Sequence, residues 1–196
     1  MRLIISRMKP ILWIDACIRE GSRTRELALA YLEARGQAYQ HLDLSSLDIK
    51  PINEARLKER EALLAKGAFD DEFFALARQF AEAEEIVISA PFYDGSFPSI
   101  LKIYFENISV GGICFRYEGP RPVGLVAAKR LVYVYTSGGP LTHSDQAFPY
   151  IKTLCGGLYG IPNIIPLSAE CLDIDGMDAN AIFAQAKAHA KEIAKK

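Results

Sequence analysis

The chain has 196 residues, of which 50% are hydrophobic and 24% are charged, and its formal net charge at pH 7 is −1. This length predicts one domain over residues 1–196 that buries roughly two thirds or more of the surface of its unfolded form. The near-neutral charge, without a Lys/Arg-rich run, argues against a nucleic-acid partner and against a strongly acidic electron carrier.

Four cysteines are spread along the chain without a CxxC pair, at positions 17, 114, 155 and 171. The spacing supports neither a zinc site nor a dithiol redox motif, and it predicts reduced thiols in a cytoplasmic protein. No apolar run approaches the roughly 18 residues of a membrane-spanning helix, so no membrane insertion is expected. The charged opening segment is predicted to be an N-terminal extension and not a signal peptide.

The first half of the chain alternates between strand and helix patterns. The apolar run Ile11–Ala16 predicts a strand buried on both faces. Helical spacing from Ser22 predicts a helix that stops at Gly36. A short strand over Tyr39–Leu44 and a polar helix near 53–66 follow. The buried face of a third helix is predicted to consist of Phe69, Phe73, Leu76, Ala77 and Phe80.

The second half continues the alternation. The run "EIVISAP", residues 85–91, predicts the central strand, and a helix opens at Pro98. A small hairpin is predicted around "CFRYEGPRP", before a strand at "RLVYVYT" and a helix over about 145–158. The last strand, "NIIPL", contains Pro166 and is therefore expected at a sheet edge. Asp178 is placed to cap a C-terminal, alanine-rich helix.

Strands that alternate with helices predict an α/β fold with a parallel sheet covered on both sides. For five strands we expect a flavodoxin-like three-layer sandwich with the strand order 2-1-3-4-5, which places the strand with the proline at an edge. In such sheets ligands bind at the carboxyl ends of the strands, where the strand order reverses. The loops after strands 1, 3 and 4 are therefore the candidate site.

The first of these loops, "CIREGSRT", leads into a helix N-terminus, which favours an anion. Ser22 and Thr24 add hydroxyl groups, and Arg19 or Arg23 could add positive charge. Neither GxxxxGK[ST] nor GxGxxG is present, and a loop without lysine suits a monophosphate ester better than a triphosphate. Ser22 on its own is equally well explained as a helix cap.

The other two loops are "PFYDGSFP" and "TSGGPLTH". Phe92 and Tyr93 could pack on a flat ring, although a turn with core aromatics explains them as well. The glycines at 138 and 139 let N–H groups approach a ligand closely, although they also suit a tight turn before Pro140. The coincidence of three unusual loops at one sheet edge carries more weight than any one of them.

These loops, together with "SFPSILKIYFENI" and "GGICFRYEGPRPVGLVAAKRLVYVYTSGG", resemble the FMN-dependent NAD(P)H:quinone oxidoreductases and azoreductases of the flavodoxin-like fold. The resemblance spans most of residues 11–140. It implies an enzyme that passes two electrons from NADH or NADPH to quinones, azo compounds or similar flat aromatic acceptors, by a ping-pong mechanism. It also implies a homodimer.

The resemblance also implies roles for individual residues. Cys17, Ser22, Arg23 and Thr24 would hold the FMN phosphate. The isoalloxazine ring would be lined by Phe92, Tyr93, Asp94, Gly95, Thr136, Ser137, Gly138 and Gly139. The acceptor pocket would be walled by Tyr93, Phe115 and Tyr117. His143 is a candidate proton donor to the acceptor, although a helix-entry histidine is the simpler interpretation; no metal ligand is expected. His41 and His189 show no partner pattern and are predicted to lie at the surface.

Three positions depart from the family pattern. Cys17 stands where a serine is usual, Asp94 where an asparagine is common, and the TSGG sequence lacks the residue, often arginine, that many members place before the glycines. Two alternatives remain open at this point. One is a flavodoxin-type electron carrier, and the other is a flavin-free protein of the same fold that binds a partner.

Overall fold

A computed structural model describes residues 10–141 and 145–196, and they form a twisted parallel sheet with helices on both faces. The strands are β1 (Ile11–Asp15), β2 (Tyr39–Asp43), β3 (Glu85–Ser89), β4 (Phe115–Glu118), β5 (Arg121–Gly124), β6 (Arg130–Thr136) and β7 (Asn163–Ala169). The flavodoxin-like fold and the five-stranded parallel sheet are confirmed. The order is β2-β1-β3-β6-β7 and not literally 2-1-3-4-5, because the separate antiparallel hairpin β4-β5 comes between the third and fourth sheet strands in the sequence and shifts their numbers.

The helices are α1 (Arg23–Arg35), α2 (Glu54–Ala65), α3 (Ala75–Glu82), α4 (Ser99–Ile108), α5 (Ala147–Ile151) and α6 (Ala179–Ala194). The predicted helix over 145–158 is α-helical only in its first part. Lys152–Leu158 continue it as a π-helix, in which the Tyr159 N–H bonds the Leu154 carbonyl five residues earlier. Two adjacent glycines, at 156 and 157, favour this departure because glycine is a poor α-helix former.

Two apolar layers enclose the sheet. Alternate residues of a strand point to opposite faces, so Trp13, Val87 and Val132 pack on one face with α1 and α6. Leu12, Ile88 and Tyr133 belong to the opposite layer, with α3, α4 and the segment from α5 to Ile161. All five residues of β1 and of β3 are buried. The sheet therefore forms the rigid base on which the loops at its carboxyl edge are held.

The predicted helix ends are confirmed at α1 and α6. Ser22 accepts a hydrogen bond from the Arg25 N–H (3.4 Å), and Asp178 accepts one from Ala181 N–H (3.0 Å). Gly36 ends α1 with a φ of 64°, a conformation that suits glycine. The placement of Phe69 on a buried helix face is wrong. Residues 68–71 form a turn before α3, and Phe69 is 39% exposed.

Pro166 lies in β7, which pairs with β6 and forms one edge of the sheet, as predicted. Among the helices of residues 10–141 and 145–196, none has the length and apolar character that crossing a membrane requires.

Candidate functional site

The carboxyl ends of β1, β3 and β6 lie next to one another. Asp15 at the end of β1 is in register with Ser89 at the end of β3, and Ser89 is in register with Val134 of β6. Backbone hydrogen bonds extend the pairing into the loops, since the Phe92 N–H bonds the Thr136 carbonyl (3.0 Å). The structure therefore places the three predicted loops at a single edge of the sheet.

Buried polar side chains concentrate at this edge. Within the described residues, seven polar or charged side chains are buried, and five of them lie where β1, β3 and β6 end or where α1 begins. These five are Asp15, Thr24, Ser89, Thr136 and Ser137. Because burial of a polar group is unfavourable unless it is hydrogen-bonded, such a concentration indicates a site built for polar recognition.

The start of α1 presents hydroxyl and N–H donors. Ser22 is half-buried, and its hydroxyl caps the helix. The first N–H groups of an α-helix have no intrahelical acceptor, which leaves those of Arg23 and Thr24 suited to an anion. The guanidinium of Arg23 instead bonds the Leu172 carbonyl (2.9 Å) and the Asp173 carboxylate (2.6 Å).

Thr24 and Cys17 face the protein interior. The Thr24 hydroxyl shares a hydrogen bond of 2.6 Å with the Thr136 hydroxyl, which joins the first loop to the third. The Cys17 thiol is fully buried and lies 3.7 Å from the carbonyl of Ser89. Burial, together with the nearby Asp15 carboxylate, raises the pKa of Cys17 to about 12. This cysteine is therefore a protonated thiol and not a reactive thiolate.

Asp15 and Arg25 form a polar centre beneath the first loop. The Asp15 carboxylate accepts hydrogen bonds from the Cys17 N–H (3.0 Å), the Ser89 hydroxyl (2.9 Å) and the Arg25 Nε (2.5 Å). Burial favours the neutral acid, but the hydrogen bonds from Arg25, Cys17 and Ser89 outweigh it, so the pKa of Asp15 is lowered. The carboxylate is thus ionised and paired at neutral pH.

The second loop contains a tight turn. Tyr93 and Ser96 bond each other through both backbone groups (2.8 Å), and the residues between them, Asp94 and Gly95, have φ values of 51° and 83°. Positive φ at both central positions is the pattern of a type I′ turn, for which Asp-Gly is a preferred sequence. The Gly95 carbonyl accepts from the Gln146 N–H (2.9 Å), which ties the turn to the start of α5.

The third loop is held by the segment after β7. The N–H groups of Leu172 and Asp173 bond the carbonyls of Ser137 and Gly138 (3.2 and 2.9 Å). A Cβ on Gly138 would lie 2.6 Å from the Asp173 carboxylate, so only glycine fits there without rearrangement. A Cβ on Gly139 would meet nothing within 4 Å, and this residue borders open space.

Comparison with known proteins identifies the family. A family model described as a flavodoxin-like fold matches residues 9–194. An FMN-dependent NADH:quinone oxidoreductase of Clostridium beijerinckii is 32% identical over 197 residues, covering 96% of this chain and 99% of that protein. A second enzyme of that name, from Clostridium acetobutylicum, is 34% identical over 200 residues, with the same coverage. The chain belongs to the flavodoxin-like family of FMN-dependent NADH:quinone oxidoreductases.

Solved structures agree with this family at the level of the fold. An azoreductase from Bacillus anthracis superposes with a TM-score of 0.83 at 20% identity, over 95% of this chain and 99% of that one. An FMN-dependent NADH-azoreductase from the same species, solved in complex with FMN, gives a TM-score of 0.82 at 20% identity, over 96% and 98% of the two chains.

The predicted acceptor-pocket residues of this family member do not all meet. Phe115 and Tyr117 contact each other edge-to-face on the hairpin (5.7 Å), and Tyr117 is 64% exposed. Across residues 10–141 and 145–196, no hydrogen bond or ring contact joins either of them to Tyr93. His143 lies outside the described residues.

Sequence reasoning missed three site residues, namely Asp15, Arg25 and His41. His41 is exposed, as predicted, but the sequence showed no partner pattern for it, and its ring stacks on Trp13 (4.0 Å) with Nε2 3.3 Å from the Asp15 carboxylate. One signal was present in the sequence: both Asp15 and Ser89 end apolar strands with a polar side chain. The hydrogen-bond partners of these two side chains could not be predicted from sequence spacing, because they depend on the path that the loop takes in space.

Proposed function

We propose that the protein is an FMN-dependent oxidoreductase that passes two electrons from NADH or NADPH to a quinone, an azo compound or a similar flat acceptor, in a ping-pong sequence. The observation that carries the proposal is the convergence of an anion-suited helix start with an aromatic turn and a glycine loop at one sheet edge. The names of the relatives support FMN, and they favour NADH as the electron donor.

The donor set fits the phosphate of FMN. The start of α1, a helix of 13 residues, offers N–H groups, the helix dipole and the Ser22 hydroxyl. Gly21 has a φ of 66°, and nothing lies within 4 Å of where its Cβ would be, so the loop can approach a ligand closely. The Asp15 carboxylate is neutralised by Arg25. Ser22, Arg23 and Thr24 would hold this end of the cofactor, with Arg23 and Thr24 acting through their N–H groups. Cys17 was expected to join them, but it is fully buried and its N–H is bonded to Asp15, so it would lie behind the phosphate site.

The other two loops fit a flat ring. Phe92, Tyr93, Asp94 and Gly95 would line one part of it, and Thr136, Ser137, Gly138 and Gly139 another. FMN, when bound, supplies two-electron hydride chemistry. The N–H groups of Gly138 and Gly139 suit an edge that carries negative charge, as oxyanion-hole donors do.

We further propose a cytoplasmic homodimer in which hairpin aromatics wall the acceptor pocket. Phe115 and Tyr117 make no hydrogen bond or ring contact with Tyr93 of their own chain in the described residues, so they would complete the pocket of a second subunit. The four cysteines are unpaired, which supports a reducing compartment. Light scattering in solution measures the subunit number, and a monomer would contradict this part of the proposal.

A charge variant at the helix cap tests the cofactor site. Aspartate caps helices as well as serine does, so Ser22→Asp should fold normally, while its negative charge should weaken FMN binding strongly. Asn53→Asp, at the cap of α2, adds the same charge to an equivalent position away from the site. Fluorescence titration with FMN should therefore separate the two variants. Equal affinity in both would place the phosphate elsewhere.

Steady-state kinetics tests the reaction. The FMN-loaded enzyme should oxidise NADH when a benzoquinone is present and give parallel lines in double-reciprocal plots at several quinone concentrations. A protein that folds but binds no FMN would instead favour the flavin-free alternative. A protein that binds FMN without oxidising NADH or NADPH would favour an electron carrier.

A further inference from the structure

A buried ion pair underlies the first loop, which the proposed function assigns to the FMN phosphate. The Asp15 side chain is fully buried, and its two oxygens have different partners. Oδ1 accepts from the Cys17 N–H and the Ser89 hydroxyl, while Oδ2 accepts from Arg25 and lies 3.3 Å from His41. The carboxylate thus connects β1, β2, β3 and α1 at one point.

Arg25 extends this connection to the loop backbone. Its Nε bonds Asp15, its Nη2 bonds the Cys17 carbonyl (2.5 Å), and its Nη1 bonds the Arg19 carbonyl (3.3 Å). All three guanidinium nitrogens therefore have acceptors within the protein. Because a trans peptide is planar, a carbonyl that points at Arg25 turns the next residue's N–H the other way. The N–H groups of Ile18 and Glu20 consequently point away from the guanidinium.

We propose that Asp15 and Arg25 are positioning residues that hold the loop over residues 16–22 in its anion-binding conformation, so that recognition of the phosphate group depends on the intact pair. This inference rests on the proposed function, because it deepens the role of the same loop. Neither side chain would touch the phosphate. Their contribution is to hold the backbone donors in place before the ligand arrives, which lowers the ordering cost of binding.

The matched comparison lies at the opposite end of the same sheet. Glu85 begins β3 and pairs with Arg35 (2.9 Å), and it also accepts a hydrogen bond from the Tyr31 hydroxyl (2.6 Å). It is a buried carboxylate with an arginine partner, as Asp15 is, but it contacts no residue of the first loop. Loss of that pair should affect stability and not ligand choice.

The test compares FMN with riboflavin, which lacks the phosphate. Asp15→Asn keeps Oδ1 for Cys17 and Ser89 but replaces Oδ2 with an amide NH2 group, which is a donor and cannot accept from Arg25. Arg25→Lys keeps the positive charge but cannot reach both carbonyls and the carboxylate together. The two loop variants are compared with the Glu85→Gln control and with the unmodified chain. Each of these four proteins is titrated with FMN and with riboflavin, and its thermal unfolding is recorded.

We expect Asp15→Asn and Arg25→Lys each to weaken FMN binding by about tenfold or more, the scale of a lost charged hydrogen bond, with riboflavin affinity unchanged. Glu85→Gln should leave the ratio of the two affinities unchanged even if it lowers the melting temperature. An unaltered or stronger affinity for FMN in both loop variants would overturn the inference. If Asp15→Asn does not fold, Arg25→Lys alone decides the question. If the unmodified chain binds neither flavin, the proposed function fails instead.

Discussion

Gly124 packs the hairpin against the residues that follow the π-helical segment, and replacing it with alanine should test whether this contact determines the position of the hairpin. The residue ends β5 and lies against Tyr159 and Gly160. A Cβ built on it would fall within 3.0 Å of the Tyr159 carbonyl group and of the Gly160 nitrogen, closer than real Cβ atoms approach. Ordinary contact begins at 3.4 Å, and the obstructing atoms belong to backbone that cannot rotate away.

The expected magnitude follows from this geometry. Gly124 does not have a positive φ, so the penalty of Gly124→Ala is steric and not conformational. Over-packing of this kind destabilises a fold by about 1–3 kcal/mol. For a chain of this size each kcal/mol lowers the melting temperature by about 2–4 °C, so the melting temperature should fall by about 2–12 °C.

Thermal unfolding followed by circular dichroism measures the change, and Gly157→Ala is the control. Gly157 lies in the π-helical segment, two residues before Tyr159, and a Cβ there would meet nothing within 4 Å. Displacement of the hairpin should also raise KM for the quinone while FMN affinity is retained, since Phe115 and Tyr117 lie on β4. If both alanine variants have the same melting temperature as the unmodified chain, the contact at Gly124 does not constrain the fold.

Three further outcomes are expected. Arg35→Gln leaves the buried Glu85 carboxylate without its cation, so denaturant unfolding should show a loss of about 3 kcal/mol; no measurable loss would mean that the pair is not needed for folding. Ellman's reagent should react rapidly with a single thiol of the native protein, Cys171, because the other three cysteines are buried. Burial also raises the pKa of Cys17 to about 12, which keeps its thiol protonated. Fast reaction of a second thiol would contradict the burial of these cysteines. Because the pKa of Asp15 is lowered in the folded state, its ionised form stabilises the fold above about pH 4 and this contribution disappears as the pH falls through the folded-state pKa. The difference in the free energy of unfolding between the unmodified chain and Asp15→Asn should therefore shrink in acid. A constant difference from pH 6 to pH 3 would refute a stabilising role for the ionised Asp15 carboxylate.

Local signals predicted those parts of the fold that local chemistry determines. Ser22 and Gly36 bound α1 because a hydroxyl satisfies N-terminal donors and a glycine adopts positive φ, and both requirements are visible in the sequence. Phe69 was misplaced for the opposite reason. Its helical spacing is real, but Gly67 has a φ of 67° and Asp71 caps a separate turn, so the chain changes direction before α3.

The candidate site likewise has a part that local sequence signals predict and a part that they do not. The three loops were predictable because each follows a strand whose pattern is clear. The contacts of Arg25 with Asp15 and Cys17 were not, since they arise only when the loop folds back over the end of β1. The packing of Gly124 against Tyr159 and Gly160 likewise joins residues far apart in the chain, which no local spacing encodes.

The arrangement of charge changes how the phosphate would be recognised. Arg23 and Arg25 both lie in the first turn of α1, where their positive charge would suit an anion. Each guanidinium is instead paired within the protein, Arg23 with Asp173 and Arg25 with Asp15. An anion at this loop would therefore be held chiefly by backbone N–H groups and the Ser22 hydroxyl, whose strength depends on their direction, and the exposed Arg19 would be the arginine left to add charge. In the positioning role proposed for it, the buried Asp15 carboxylate would hold Arg25 against the Cys17 carbonyl and so keep the loop N–H groups oriented outward.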